Sequence, residues 1–174
     1  MAEIFSPIRE ITSDDRTFLA EMCALAVFPR RSPQPDLGLA LRIPQLNIWL
    51  KNWGRCGDDG VIAIGEDGTA LGAAWYRLFA SDDPAPGFLD ASIPVMVLAV
   101  RSTYQHQGIG RRLLEALKMQ AKQHGYSSLS LGVAQVNAAL RFYTQMGCVP
   151  VEQYGHLLTM SVPLVASRYE ATSV

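Results

Sequence analysis

The sequence predicts a mixed α/β domain: a sheet of about seven strands with helices on its faces. Three observations carry that expectation. Apolar residues recur at helical spacing in some segments and at strand spacing in others. These segments follow in the order β-α-α-β-β-β-α-β-α-β-β, which is neither a strict βαβ alternation nor a bundle. The chain has 174 residues, 49% hydrophobic and 18% charged, enough for one sizeable core with little room for a second. The expectation is one domain over 1–174, with its core at about 3–164 and a polar end, 165–174, that frays.

Each element has its own local reason. Ile4–Ile11 reads as a short strand, and Thr12-Ser13-Asp14-Asp15 offers helix caps. In RTFLAEMCALAVF, Phe18, Met22, Leu25 and Ala26 share helical spacing; Pro29, Pro33 and Pro35 end that helix. A second helical stretch covers about Leu37 to Trp53, broken or restarted at Pro44, and Gly54–Gly60 is turn chemistry. VIAIGED and ALGAAWYRLF then form a hairpin around Glu66-Asp67-Gly68-Thr69. The loop Ser81–Pro94 holds three prolines and a glycine. PVMVLAV (Pro94–Val100) is the near-continuous apolar run of a strand covered on both faces. A helix from about Gly108 to Gln123 places Ile109, Leu113, Leu117 and Ala121 on one face, with Leu114 beside them. SSLSLGVA is a strand, Asn137 can cap a helix through Gln145, and two short strands flank Tyr154-Gly155-His156.

Composition excludes several classes. A formal net charge of −1 gives no field that would draw nucleic acid or an anionic membrane. No apolar run approaches the roughly 20 residues of a membrane span. The start, MAEIFSPIREITSDD, lacks a basic segment followed by an apolar one, so no secretory leader is expected. Cys23, Cys56 and Cys148 are odd in number and far apart, which argues against disulfides or a metal site. A reducing, cytoplasmic setting with three buried thiols is the expectation.

The segment YQHQGIGRRLLEAL (Tyr104–Leu117) carries the chemistry. A tight turn alone can use such glycines. A P-loop needs Lys-Ser/Thr after its last glycine, and here Arg111 and Arg112 follow Gly110. A dinucleotide fingerprint needs a third glycine where Leu113 stands and an acid about 20 residues on, whereas no acid lies between Glu115 and Glu152. A glycine bend that follows a buried strand and opens a helix gathers backbone N–H groups at the positive end of the helix dipole, which suits a pyrophosphate. Arg111 and Arg112 can then neutralise phosphate oxygens at the rim.

The segment resembles the acetyl-CoA-binding motif of the GCN5-related N-acetyltransferase superfamily, Q/R-x-x-G-x-G/A. Gln105-His106-Gln107-Gly108-Ile109-Gly110 fits every specified position. AALRFYTQMGC is similar to a second family segment, A-x-x-x-Y-x-x-x-G-F, through Ala139, Tyr143 and Gly147, with Cys148 in place of the phenylalanine. The resemblance extends over the element order and implies a mostly antiparallel sheet splayed between its fourth and fifth strands. There the fourth strand's free backbone, at Leu98, Ala99 and Val100, would pair with the pantetheine amides of acetyl-CoA. Main-chain groups of Gln105, His106, Gln107, Gly108, Ile109, Gly110 and Arg111 would hold the pyrophosphate, with no metal involved.

The implied reaction is transfer of an acetyl group to a primary amine by direct attack on the thioester. Tyr143 is then the general acid for the thiolate, its bland alternative being a packed aromatic. The family asparagine seven residues before that tyrosine falls on Val136, and Asn137, one step later, is either a cofactor contact or only a helix cap. Many relatives carry a glutamate on the fourth strand; here Val95 takes that place, and no carboxylate occurs from Ala91 to Val100. Asp82, Asp83 and Asp90 in the preceding loop are candidate bases, or simply solvated. The acceptor pocket is expected between the first two helices and the loop Ser81–Pro94, with Trp49, Trp53, Trp75, Tyr76 and Phe88 as candidate lining. A protein, peptide or small-molecule amine fits as acceptor, and a homodimer is an option the family offers. The competing reading on the same fold is a non-catalytic acyl-CoA-binding or sensing module.

Overall fold

The computed structural model describes residues 7–29, 33 and 35–164. The start of the expected strand at Ile4 and the expected fraying of 165–174 lie outside the described residues. The chain forms two compact units: Met1–Arg77 with Met96–Leu117, and Leu78–Val95 with Lys118–Val174.

In the first unit the strand order is β1 (Ile8–Glu10), β2 (Asp59–Ile64), β3 (Ala70–Arg77), β4 (Val95–Val100). β1 and β2 pair antiparallel with Ile8 opposite Ala63, and β2 and β3 pair antiparallel with Gly60 opposite Trp75. The β2–β3 turn is the hairpin expected from the sequence: Gly65 N–H donates to Thr69 O at 2.8 Å, and Asp67 Oδ1 accepts from Thr69 N–H at 2.9 Å. Between β1 and β2 run the helices α1 (Arg16–Val27), α2 (Leu37–Ala40) and α3 (Pro44–Leu50). Pro44 starts α3, where its missing N–H costs nothing.

The buried residues of α1 are Leu19, Ala20, Met22, Cys23 and Ala24. This departs from the spacing argument, because Phe18, Leu25 and Ala26 are only half-buried. The reason is packing on two sides: α1 meets both α3 and β3, so a single stripe does not describe it.

In the second unit the order is β5 (Ser128–Ala134), β7 (Leu157–Pro163), β6 (Val149–Tyr154), all antiparallel. Val95, the first residue of β4, pairs in parallel with Ser130, whose N–H donates to Pro94 O at 2.9 Å. α5 (Ala139–Gln145) packs on β5. The loop ahead of β4 is seated on β5 at Gly87 (φ 91°), where a Cβ would lie 2.2 Å from the backbone nitrogen of Gly132. Only glycine permits that approach in that conformation. The seven strands thus form the mixed α/β structure the sequence predicts, mostly antiparallel as the family resemblance implies, and the described residues add a parallel pair, β4 with β5.

α4 (Ile109–Gln123) starts in the first unit and ends in the second. Its expected face is buried throughout: Ile109, Leu113, Leu114, Leu117 and Ala121 are at most 1% exposed. Of the three cysteines, Cys23 and Cys148 are buried and all three are free, but Cys56 is exposed, which corrects the expectation of three buried thiols. Cys56 lies in the turn chemistry between α3 and β2, where the backbone stays at the surface.

Candidate active site

β4 delivers the chain to the motif. Its burial is nearly continuous, with Leu98 half-buried and Ala99 and Val100 buried. At Arg101 the chain leaves the sheet: the Arg101 N–H still donates to Leu71 O on β3 at 2.9 Å, and the Arg101 carbonyl already accepts from Tyr104 N–H at 2.8 Å. One tight 3-10 turn, Ser102–Tyr104, follows. Gln105 then reaches back, its Nε2 donating to Val100 O at 2.9 Å, so its side chain builds the bend while its backbone is extended.

The bend has two left-handed residues, His106 (φ 60°) and Gly108 (φ 81°). Left-handed residues in such a turn swing successive N–H groups toward one side, the geometry of an anion-binding concavity. Gly108 adopts it without a Cβ penalty. For His106 the same conformation costs about 1–2 kcal/mol, a strain often found at binding sites. The first backbone hydrogen bond of α4 is Arg112 N–H to Gly108 O at 3.1 Å. The amides ahead of it, on Ile109, Gly110 and Arg111, belong to the turn whose N–H groups an α-helix cannot satisfy itself. Gln107 Nε2 donates to Thr103 O at 3.2 Å, while its Oε1, an acceptor, is buried without a partner. The donors at the bend are therefore main-chain amides.

Arg111 is exposed and paired with Glu115 one turn on, Nε to Oε1 at 3.0 Å. That pair is weak at this exposure.

Two arginine clamps were not read from the sequence. Arg101 Nε and Nη2 hold Glu21 of α1 in a two-pronged pair at 2.6 and 2.7 Å, and Arg101 Nη1 donates to Ala70 O at 2.8 Å. The guanidinium also lies over the Phe18 ring, 5.0 Å from its centre. The second is at the end of β3. Arg77, fully buried, holds Asp58 at 2.8 and 2.9 Å, donates to the carbonyls of Ile48 and Lys51, and sits against Trp53. The arginines stand in the sequence, but no local signal names partners so distant along the chain.

In the second unit Tyr143 lies on α5 and is 8% exposed. Its ring packs on Phe142 with centroids 5.2 Å apart, and its carbonyl accepts from Cys148 N–H at 3.0 Å. Burial pushes the phenol well above its ordinary range, so it keeps its proton throughout physiological pH. Burial likewise pushes the neighbouring Cys148 thiol up to about 11, which leaves it inert as a nucleophile. Asn137 Oδ1 accepts from Ala139 N–H at 2.9 Å, the capping contact the sequence offers, which leaves its NH2 for any ligand.

The candidate bases lie on an exposed loop. Val95, where the strand glutamate was sought, is fully buried. Asp82 and Asp83 are exposed. Asp90 is exposed, and the Ser92 hydroxyl and N–H, at 2.6 and 2.8 Å, hold its carboxyl below the ordinary range and make it a weaker base. Of the candidate lining residues, Trp49, Trp75 and Tyr76 are core, while Trp53 and Phe88 are half-buried. Among the described residues no helix is long and apolar enough to cross a membrane.

Comparison with known proteins accords with this geometry. A mycothiol acetyltransferase of Jonesia denitrificans is 42% identical over 95 residues, a match that covers 54% of this chain and 28% of that protein's length. A ribosomal-protein-alanine N-acetyltransferase of Brucella melitensis superposes with a TM-score of 0.66 at 25% identity, covering 90% of this chain and 99% of the other. yncA of Salmonella typhimurium, solved with its cofactor acetyl-CoA, shares the fold with a TM-score of 0.68 at 20% identity, over 94% of this chain and 96% of the other. Residues 14–148 match the Acetyltransferase (GNAT) family, and the chain belongs to that family.

Proposed function

We propose that the chain is an acetyl-CoA-dependent N-acetyltransferase acting on a primary amine. The observation that carries this is the pair of left-handed residues, His106 and Gly108, that turns backbone amides together just ahead of the first hydrogen bond of α4. The main chain from Gln105 through Arg111 holds the pyrophosphate of acetyl-CoA, and the backbone of Leu98, Ala99 and Val100 offers its N–H and C=O groups to the pantetheine arm. The family match and the mycothiol acetyltransferase relative support the same donor chemistry. Three free cysteines fit a reducing, cytoplasmic setting.

The amine nitrogen attacks the thioester carbonyl carbon, and the backbone N–H near Leu98 stabilises the oxyanion that forms. The C–S bond then breaks. Tyr143 gives its proton to the departing thiolate, and the proton lost by the amine goes to solvent and restores Tyr143. Burial keeps the phenol protonated at neutral pH, so a proton is present when the thiolate departs. Val95 is buried on β4, Ser92 weakens Asp90 as a base and Asp82 and Asp83 are exposed; in this reading the amine arrives neutral from solution. The rate should therefore rise with pH through the acceptor's own pKa.

The test is calorimetric binding of acetyl-CoA together with release of free CoA thiol across a panel of amines, an alanine-terminated peptide among them. Gly110→Asp should abolish binding, through clash and through a carboxylate set against phosphate; retained affinity would remove the pyrophosphate assignment. Tyr143→Phe keeps the ring packing and should lower kcat by about 10²-fold with little change in KM. Unchanged turnover at every pH would take Tyr143 out of the mechanism. The buried valine in place of a strand acid favours a second reading, a non-catalytic acyl-CoA sensor. Saturable CoA binding without amine-dependent thiol release would establish it.

A further inference from the structure

We infer that Arg101, clamped by Glu21, is the positioning residue of the pyrophosphate bend and ties its geometry to helix α1. The inference rests on the bend being the acetyl-CoA site. Arg101 is the last residue whose backbone is held by β3 and the first whose carbonyl is used by the turn beyond, through Leu71 O and Tyr104 N–H. Its backbone angles (φ −50°, ψ 136°) set the direction in which the chain departs.

Four side-chain contacts fix that single point. Two run to the Glu21 carboxylate, one to Ala70 O, and one is the face of Phe18. The planar fork of a guanidinium matches the carboxylate in two places at once and stacks on the ring, which an ammonium cannot do. Downstream, Gln105 Nε2 returns to Val100 O, the residue just before Arg101. The bend is therefore hung from residues 100 and 101, and a rotation there is carried directly to the amides of residues 106–111. Arg101 itself touches no ligand in this scheme. Its effect on binding passes through backbone placement, to which such sites are sensitive.

The pair is only partly buried, with side-chain exposures of 32% and 34%. Its loss should therefore leave the fold standing while misplacing the bend, and this separates a positioning role from a structural one.

The experiment is acetyl-CoA titration by calorimetry, well below the unfolding temperature, for wild type, Arg101→Met, Arg101→Lys and Glu21→Gln. Thermal unfolding of each free protein is measured alongside. The methionine keeps an apolar stem over Phe18. Arg101→Met should weaken Kd by about tenfold or more with only a small fall in Tm. Glu21→Gln should move Kd in the same direction, and the double variant should be no weaker than Arg101→Met alone. Arg101→Lys should recover part of the loss, since it keeps a cation but not the fork. A Kd within twofold of wild type in Arg101→Met and Glu21→Gln would overturn the inference while leaving the bend as the acetyl-CoA site. Should Arg101→Met not fold, Arg101→Lys and Glu21→Gln decide the matter by the same criterion. A wild-type chain that binds no acetyl-CoA would overturn the site and this inference with it.

Discussion

Arg77 and Arg101 leave the ends of β3 and β4, and each grips a carboxylate with two prongs. Their surroundings make them different devices. The Arg77–Asp58 pair has both side chains at 0% exposure, whereas Arg101 and Glu21 stand at 32% and 34%. Burial pulls the Arg77 guanidinium below the ordinary arginine range even with Asp58 beside it; the hydrogen bonds that Arg101 donates to Glu21 lift Arg101 above that range. A buried pair is expensive to desolvate and costly to break, so it locks a segment in place. A half-exposed pair contributes little to stability and can serve to aim what it holds. Arg77 locks the residues following α3 to the end of β3. Arg101 aims the bend.

Arg77→Met tests the strongest side of the contrast. It takes from Asp58 its buried partner, leaving only Arg55 at 3.5 Å and the backbone N–H groups of Gly54 and Arg55, and it frees the carbonyls of Ile48, Lys51 and Asn52. The expected loss is about 3 kcal/mol, read by urea unfolding. Restoring part of that loss by adding Asp58→Asn would show that the Asp58 charge was the cause. If instead Arg77→Met unfolds at the same denaturant concentration as wild type, burial is not what distinguishes the two arginines.

A third two-pronged pair, Arg9 with Asp15, is 2.7 Å apart, with side-chain exposures of 43% and 10%. The Arg9 hydrogen bond, aided by Thr12, holds the Asp15 carboxyl at about 2. A carboxyl lowered on folding adds stability that is full above its unfolded pKa of about 4 and is lost as pH falls through about 2. Arg9→Met should therefore cost less than about 1 kcal/mol at neutral pH. The gap from wild type should close as pH drops from 4 toward 2. A gap that persists at pH 2 would mean that Arg9 acts through packing and not through its charge.

Much of the architecture was legible because its causes are local. The buried face of α4, the β2–β3 hairpin and the restart at Pro44 each follow from spacing or from one residue's backbone preference. The glycine bend was legible for the same reason. Its chemistry is main-chain chemistry, and a left-handed Gly108 is a short-range property. His106 was less expected in a left-handed role, since histidine gains nothing from that conformation by itself. Held between Gln105, which is anchored on Val100, and the start of α4, it has no alternative. The α1 face was misplaced, because a helix that packs on two neighbours has no single stripe.

By itself the sequence determined which backbone would bend and which helix face would be buried. Those properties depend on residues within a few positions of one another. Only the tertiary structure decided what holds the bend at its angle. Glu21 and Arg101 lie 80 residues apart, and Asp58 and Arg77 lie 19 apart. A guanidinium can pair with any carboxylate in the chain. Which one it meets, and whether in water or in the core, depends on how the strands and helices pack.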